Sequence, residues 1–196
     1  MAETSVAFSR LEWGAVLVVP ALALVVGAVA MPHPQPSADA RASVDRAKLG
    51  RDVAKTAPPL DEQIAVELAG GRLVVTGANL PKGPVDRGSQ ATIETVFEVK
   101  KEIDRDWKIF LHVDLRGGRH RLHGDHPPVD GRYPTSSWMP GEFVTDRFEL
   151  AVPLDAPPGE YEAYLGFYIG DERMPVTAGA RHDGENRVRL GRIRVP

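Results

Sequence analysis

Histidine and carboxylate groups crowd the middle of the chain. His112 and Asp114 stand two apart, and His120, His123 and His126 follow at intervals of three, with Asp125 among them. Two histidines and one carboxylate form a known facial set for a divalent metal. In an extended strand, however, a spacing of three sends successive side chains to opposite faces, so the trio converges only if the chain folds back. Ser136, His126 and Asp146 supply the groups of a hydrolytic triad, but the Gly-x-Ser-x-Gly elbow that presents such a serine is absent from the sequence. No residue is therefore assigned to catalysis or to a metal, and no cofactor is expected.

Binding chemistry has better material. From Leu122 to Glu142 the chain runs Leu-His-Gly-Asp-His-Pro-Pro-Val-Asp-Gly-Arg-Tyr-Pro-Thr-Ser-Ser-Trp-Met-Pro-Gly-Glu. Structureless connections beyond about 12–15 residues are uncommon in compact domains and are often functional. Hydrogen-bonding groups beside flat aromatic rings suit a sugar or another polar polymer. The candidate ligand-binding residues are His112, Asp114, Asp125, His126, Tyr133, Thr135, Ser136 and Trp138. The structural alternative is that Trp138 and Tyr133 plug one end of a domain while Asp125 and Ser136 cap turns.

These residues need a scaffold, and the apolar period beyond Leu60 is two. Ile64, Val66 and Leu68, then Ala69-Gly70-Gly71, then Leu73 to Val75, predict a hairpin. Ile93, Thr95, Phe97 and Val99 predict a strand with one buried face. Trp107, Ile109, Leu111, Val113 and Leu115 alternate with Lys108, Phe110, His112 and Asp114 and predict another. Strands follow at Val144–Val152 and Tyr161–Ile169. In the last, Val188 and Leu190 share one parity and Ile193 and Val195 the other, which predicts a bulge at Gly191. Pro157-Pro158-Gly159-Glu160-Tyr161 places a tyrosine hydroxyl where it can bond back to the turn, as in a tyrosine corner. The expected fold is all-β: an immunoglobulin- or fibronectin-III-like sandwich of about eight strands over residues 61–196, with a small closed barrel as the alternative.

Upstream, Trp13 to Met31 are nineteen residues without a charge. At 1.5 Å per residue they just cross a hydrocarbon core of about 30 Å, with Trp13 suited to the interface. A transmembrane helix over 13–31 is expected after an N-terminal tail of residues 1–12. Ala28-Val29-Ala30 fits a signal-peptidase site, so secretion after cleavage at Ala30 is the alternative. Residues 32–60, opening on Pro32-His33-Pro34-Gln35-Pro36, are expected to be a flexible linker. The domain is expected outside the cytoplasm, although Arg41, Arg46, Lys48, Arg51 and Lys55 after the helix against Arg10 before it argue for the opposite orientation.

The 196 residues hold one core of ordinary size, and a net charge of −3 offers no broad basic surface for nucleic acid. With no cysteine, disulfides, thiolate metal sites and a cysteine nucleophile are excluded in this chain. Glycine (19) and proline (17) fall mostly between apolar runs, as turns of an all-β domain do. Asp171-Glu172-Arg173 and the arginines from Arg187 to Arg194 read as solvated faces, with acidic polysaccharide or lipid phosphate as possible partners.

The string from Phe110 to Trp138 contains His112-Val113-Asp114, Gly124-Asp125-His126-Pro127 and Tyr133-Pro134-Thr135-Ser136-Ser137-Trp138. With Pro140-Gly141-Glu142, Pro158-Gly159-x-Tyr161 and Asn186-Arg187-Val188, it resembles the sandwich domain appended to some bacterial multi-pass glycosyltransferases of the dolichyl-phosphate-mannose mannosyltransferase type. The resemblance covers about the last 100 residues. Those enzymes carry many membrane helices and acidic catalytic residues in an early loop, whereas this chain has one hydrophobic segment. The resemblance thus implies an accessory module without the transferase, and no catalytic residue carries over. The expected function is a membrane-tethered, non-enzymatic envelope protein whose sandwich binds glycan, such as an envelope polysaccharide, or assists a membrane glycosyltransferase. A protein-interaction scaffold docking by a sheet edge or the last strand is the alternative, and a metal-dependent hydrolase stands third.

Overall fold

The computed structural model describes residues 43–196. The segment expected to cross the membrane, its cleavage motif and the first part of the linker lie outside the described residues. Among the described residues, no helix is long and apolar enough to cross a membrane.

Among the described residues, eleven strands build two antiparallel sheets. In chain order they are β1 (Val53–Ala54), β2 (Glu62–Leu68), β3 (Leu73–Asn79), β4 (Gln90–Val99), β5 (Lys108–Leu115), β6 (Arg121–His123), β7 (Phe143–Ala151), β8 (Gly159–Ile169), β9 (Glu172–Arg173), β10 (Val176–Ala178) and β11 (Val188–Val195). One sheet has the order β1-β7-β4-β3-β2-β10, and the other β11-β8-β5-β6 with β9 paired to β8. The longer strands coincide with the period-two runs of the sequence. Seven are longer strands, and the remaining four, β1, β6, β9 and β10, are pieces of two or three residues, too short to show a period.

The alternation sorts side chains as the sequence suggests. Ile109, Leu111 and Val113 of β5 face Tyr161, Ala163, Leu165 and Phe167 of β8 inside the core, all 2% exposed or less. The β2–β3 hairpin turns through Ala69, Gly70 and Gly71, all at positive φ. In β11 the register against β8 slips between Arg189 and Gly191, which lets Val188, Leu190, Ile193 and Val195 all reach the core. Tyr161 donates to the Pro157 carbonyl at 2.7 Å, tying the start of β8 to the turn before it.

The linker expected over residues 32–60 is not a spacer throughout. From Ser43 onward the chain packs on the sandwich through two 3-10 turns, and β1 pairs with β7. Leu49 is 2% exposed within the core. Arg46 ion-pairs with Glu142, while Arg147 ion-pairs with Asp52. Leu49 is a single large apolar residue among charged neighbours, so no periodicity announces its burial.

Candidate functional site

The eight residues expected to bind ligand separate into three environments. Tyr133, Thr135, Ser136 and Trp138 fill one end of the sandwich. A 3-10 turn over Thr135–Ser137 follows Pro134, and all four side chains are 3% exposed or less. Trp138 packs between the sheets, its ring centroid 5.5 Å from Phe97 of β4 and 6.2 Å from Phe167 of β8. Its indole nitrogen donates to the Tyr133 carbonyl at 2.9 Å. Thr135 accepts from the Trp107 amide at 2.8 Å and donates to the Arg105 carbonyl at 2.6 Å, and the Ser136 amide donates to Asp106 at 3.1 Å. No aromatic face is left for a sugar there.

Beneath this plug lies Glu142, 0% exposed and not among the expected ligand-binding residues. Its carboxylate accepts from the Tyr133 hydroxyl at 2.7 Å, the Met139 amide at 3.2 Å and Arg46, and Lys55 stands 3.6 Å away. A buried carboxylate is tolerated only when so satisfied. Burial, reinforced by Glu142, pushes the Tyr133 phenol up to about 12 against a smaller pull from Arg46. Arg46 lies 96 residues from Glu142, and no local motif connects them.

The second environment is His126 with Asp146. His126 extends the β5–β6 pairing through a bridge to Ile109, so its ring points inward and stacks on Phe148 at 4.2 Å. Nδ1 lies 2.7 Å from the Gly124 carbonyl and Nε2 2.7 Å from the Asp146 carboxylate. The other Asp146 oxygen accepts from the Val129 amide at 2.7 Å. Both ring nitrogens face acceptors, so both are satisfied only in the protonated imidazolium. Burial opposes that charge, but the hydrogen bond and charge of Asp146 and the Gly124 carbonyl outweigh it and hold the pKa above the ordinary value. With both nitrogens committed, His126 has none left to serve as a base for Ser136.

The third environment is the outer face of the smaller sheet. His112 pairs with His123 and Asp114 with Arg121 across β5–β6, and the same register continues to the Ile109–His126 bridge. Directly opposed residues share a face, and Asp125, two beyond His123, returns to that same face. His112, His123 and Asp125 consequently meet, their ligating atoms all within 4.8 Å of one another. Asp114 is already engaged: Arg121 binds it through two nitrogens, and Arg187 donates at 3.0 Å. Burial disfavours its charge, yet these two arginines hold its carboxyl below the usual range. His112 is 9% exposed and its Nδ1 has no hydrogen-bond partner. Burial and the charge of Arg121 push its imidazole down to about 4, against a weaker pull from Asp125.

Next to this cluster a shallow pocket of about 230 Å³ is lined by Phe110, His112, Asp125, Tyr168, Asp171 and Arg173. Gly166 of β8 shapes its floor: a Cβ there would fall 2.2 Å from Phe110 Cζ and 2.7 Å from the Asn186 carbonyl, so the Phe110 ring lies across β8 only because position 166 has no side chain. Arg173 covers that ring at 4.9 Å, whereas Tyr168 is only half-buried. His123, Tyr168 and Arg173 were not among the expected ligand-binding residues. The parity of β5, β6 and β8 places His123 and Tyr168 on this face, but the strand neighbours that bring them together are not visible in sequence. No known protein-family model matches the chain, and no curated protein matches it.

Proposed function

We propose that the chain is a non-enzymatic envelope protein, tethered to the membrane by residues 13–31 with its domain outside the cytoplasm. Its sandwich, of immunoglobulin or fibronectin-III type, binds glycan or assists a glycan-processing membrane partner. The observation that carries this reading is the outer-face pocket, where the half-buried Tyr168 ring stands beside His112, Asp125, Asp171 and Arg173. One aromatic surface ringed by hydrogen-bonding groups is the chemistry a pyranose needs. The resemblance to domains appended to mannosyltransferase-type enzymes supports the same substrate class. Within this reading Tyr133 and Trp138 hold the end of the sandwich, and the ligand contacts lie at Tyr168, His112 and Asp125.

The scaffold alternative has less support. The long edge strand β11 is partly engaged already: the Arg189 amide donates to the Arg181 carbonyl at 2.8 Å, and the Arg194 carbonyl accepts from the Val85 amide at 2.8 Å. The test is binding of the full chain to an array of neutral and acidic oligosaccharides, mannose-containing ones included. Retention of a defined subset, weakened about tenfold by Tyr168→Ala, is expected, since loss of one aromatic contact surface worth roughly 1.4 kcal/mol corresponds to a tenfold change. Absence of any retained glycan, together with stoichiometric co-purification of a membrane protein, would favour the scaffold.

A further inference from the structure

We infer that His112, His123 and Asp125 form a binding site for one divalent metal ion of the zinc class on the outer face of the β5–β6 hairpin. The placement follows from strand register. Cross-strand partners stand about 4.5–5.5 Å apart at Cβ, and the i, i+2 neighbour lies on the same side. His112 opposite His123, with Asp125 next along, thus bring two imidazoles and a carboxylate to one point, with ligating atoms within 4.8 Å of one another. Small side-chain rotations reach the roughly 3–4 Å separations that a tetrahedral ion with bonds of about 2 Å requires.

One feature points to a missing partner. Buried polar atoms are nearly always hydrogen-bonded, yet Nδ1 of His112, a residue 9% exposed, has no partner. Asp125 is exposed and makes no hydrogen bond or ion pair among the described residues, so its carboxylate is not already engaged, although Arg121 and Arg187 are close enough to influence His112. Those two guanidiniums are held by Asp114 and so do not compete for Asp125. Three neighbouring groups are engaged elsewhere or turned to the other face. Asp114 carries two arginines, His126 is held by Asp146 and Gly124, and the His120 ring lies 6.1 Å from that of the inward-facing Tyr161.

Two imidazoles and one carboxylate suit zinc and its first-row neighbours, whereas calcium and magnesium prefer an all-oxygen shell. Three protein ligands leave a fourth position for water or for an oxygen of a bound molecule. This position opens beside the Tyr168 pocket, because His112 and Asp125 line both. The inference does not depend on glycan binding: a metal that binds a protein with no glycan affinity leaves it intact.

The test uses the full chain stripped with a chelator and titrated with Zn2+ by calorimetry, and with Co2+ by visible absorption. One equivalent is expected, with the intense d–d bands of a tetrahedral Co2+ site. Loss of outer-shell groups alone costs about 10–100-fold in metal affinity, so His123→Ala and Asp125→Asn are each expected to weaken binding by at least about tenfold. Both residues are exposed, and an unchanged circular dichroism spectrum and unfolding midpoint would show that the fold is kept. His120→Ala and His182→Ala are expected to bind as the parent does. Binding well below one equivalent, or full affinity in both His123→Ala and Asp125→Asn, would overturn the site.

Discussion

Nε2 of His126 lies 2.7 Å from the Asp146 carboxylate while Nδ1 lies 2.7 Å from the Gly124 carbonyl, so the ring is fully bonded only when it carries both protons. Its pKa in the folded chain is held above the ordinary value of 6.5. The unfolded chain releases this proton first as pH rises. The stabilisation is therefore complete below about 6.5 and is lost as pH climbs through the raised folded value. Thermal midpoints of the parent and of His126→Gln, measured from pH 5.5 to 9, are expected to converge with rising pH. A constant difference between them would show that the ring is neutral when folded.

The second expectation concerns Trp138, which is 1% exposed between Phe97 and Phe167. Trp138→Ala should cost about 3–5 kcal/mol in urea unfolding, as large-to-small changes of buried aromatics do. A cost under about 1 kcal/mol, typical of a surface position, would mean that the ring does not serve as the plug.

Leu49 provides a third, because a leucine in a spacer would contribute almost nothing. It is 2% exposed in the core, so Leu49→Ala is expected to lower stability by about 2–5 kcal/mol. Glu142→Ala should also destabilise, since it leaves Tyr133 without its carboxylate partner and Arg46 without its ion pair. The loss is expected at about 1–3 kcal/mol by the same unfolding measurement, chiefly from the buried Tyr133 hydroxyl left without its carboxylate acceptor. Near-parent stability in both variants would detach residues 43–54 from the domain.

The contrast between Val113 and Leu49 indicates what the sequence makes legible. Val113 belongs to a run whose alternation repeats over several residues, and the strand, its buried face and even the Gly191 register slip follow from such runs. Leu49 and Glu142 are held by partners distant in sequence. The pairing of Arg46 with Glu142 spans 96 residues, and neither end carries a local pattern. The site shows the same division. Sequence parity allows His120, His123 and His126 to converge only if the chain folds back, and in the structure His123 lies on the outer face while His126 and His120 turn inward. Knowing that His112 opposes His123 requires the register of β5 against β6, which a turn at Arg116-Gly117-Gly118 does not fix by itself. Trp138 and Tyr133 read in sequence either as ligand-binding aromatics or as an end plug, because composition records the ring and not its surroundings, and their burial shows the plug. Tyr168, in a regular strand, carried no such signal.

Affinity electrophoresis of the full chain through gels containing α-mannan, or neutral and acidic polysaccharides in parallel, bears most directly on a glycan-binding outer face. Retardation by at least one polysaccharide is predicted, abolished or strongly reduced in Tyr168→Ala. It is predicted to persist in Trp138→Phe, which keeps an aromatic ring in the plug. Retardation that survives Tyr168→Ala but disappears in a folded Trp138→Phe would put the ligand at the end of the sandwich, and no retardation in any gel would contradict glycan binding itself.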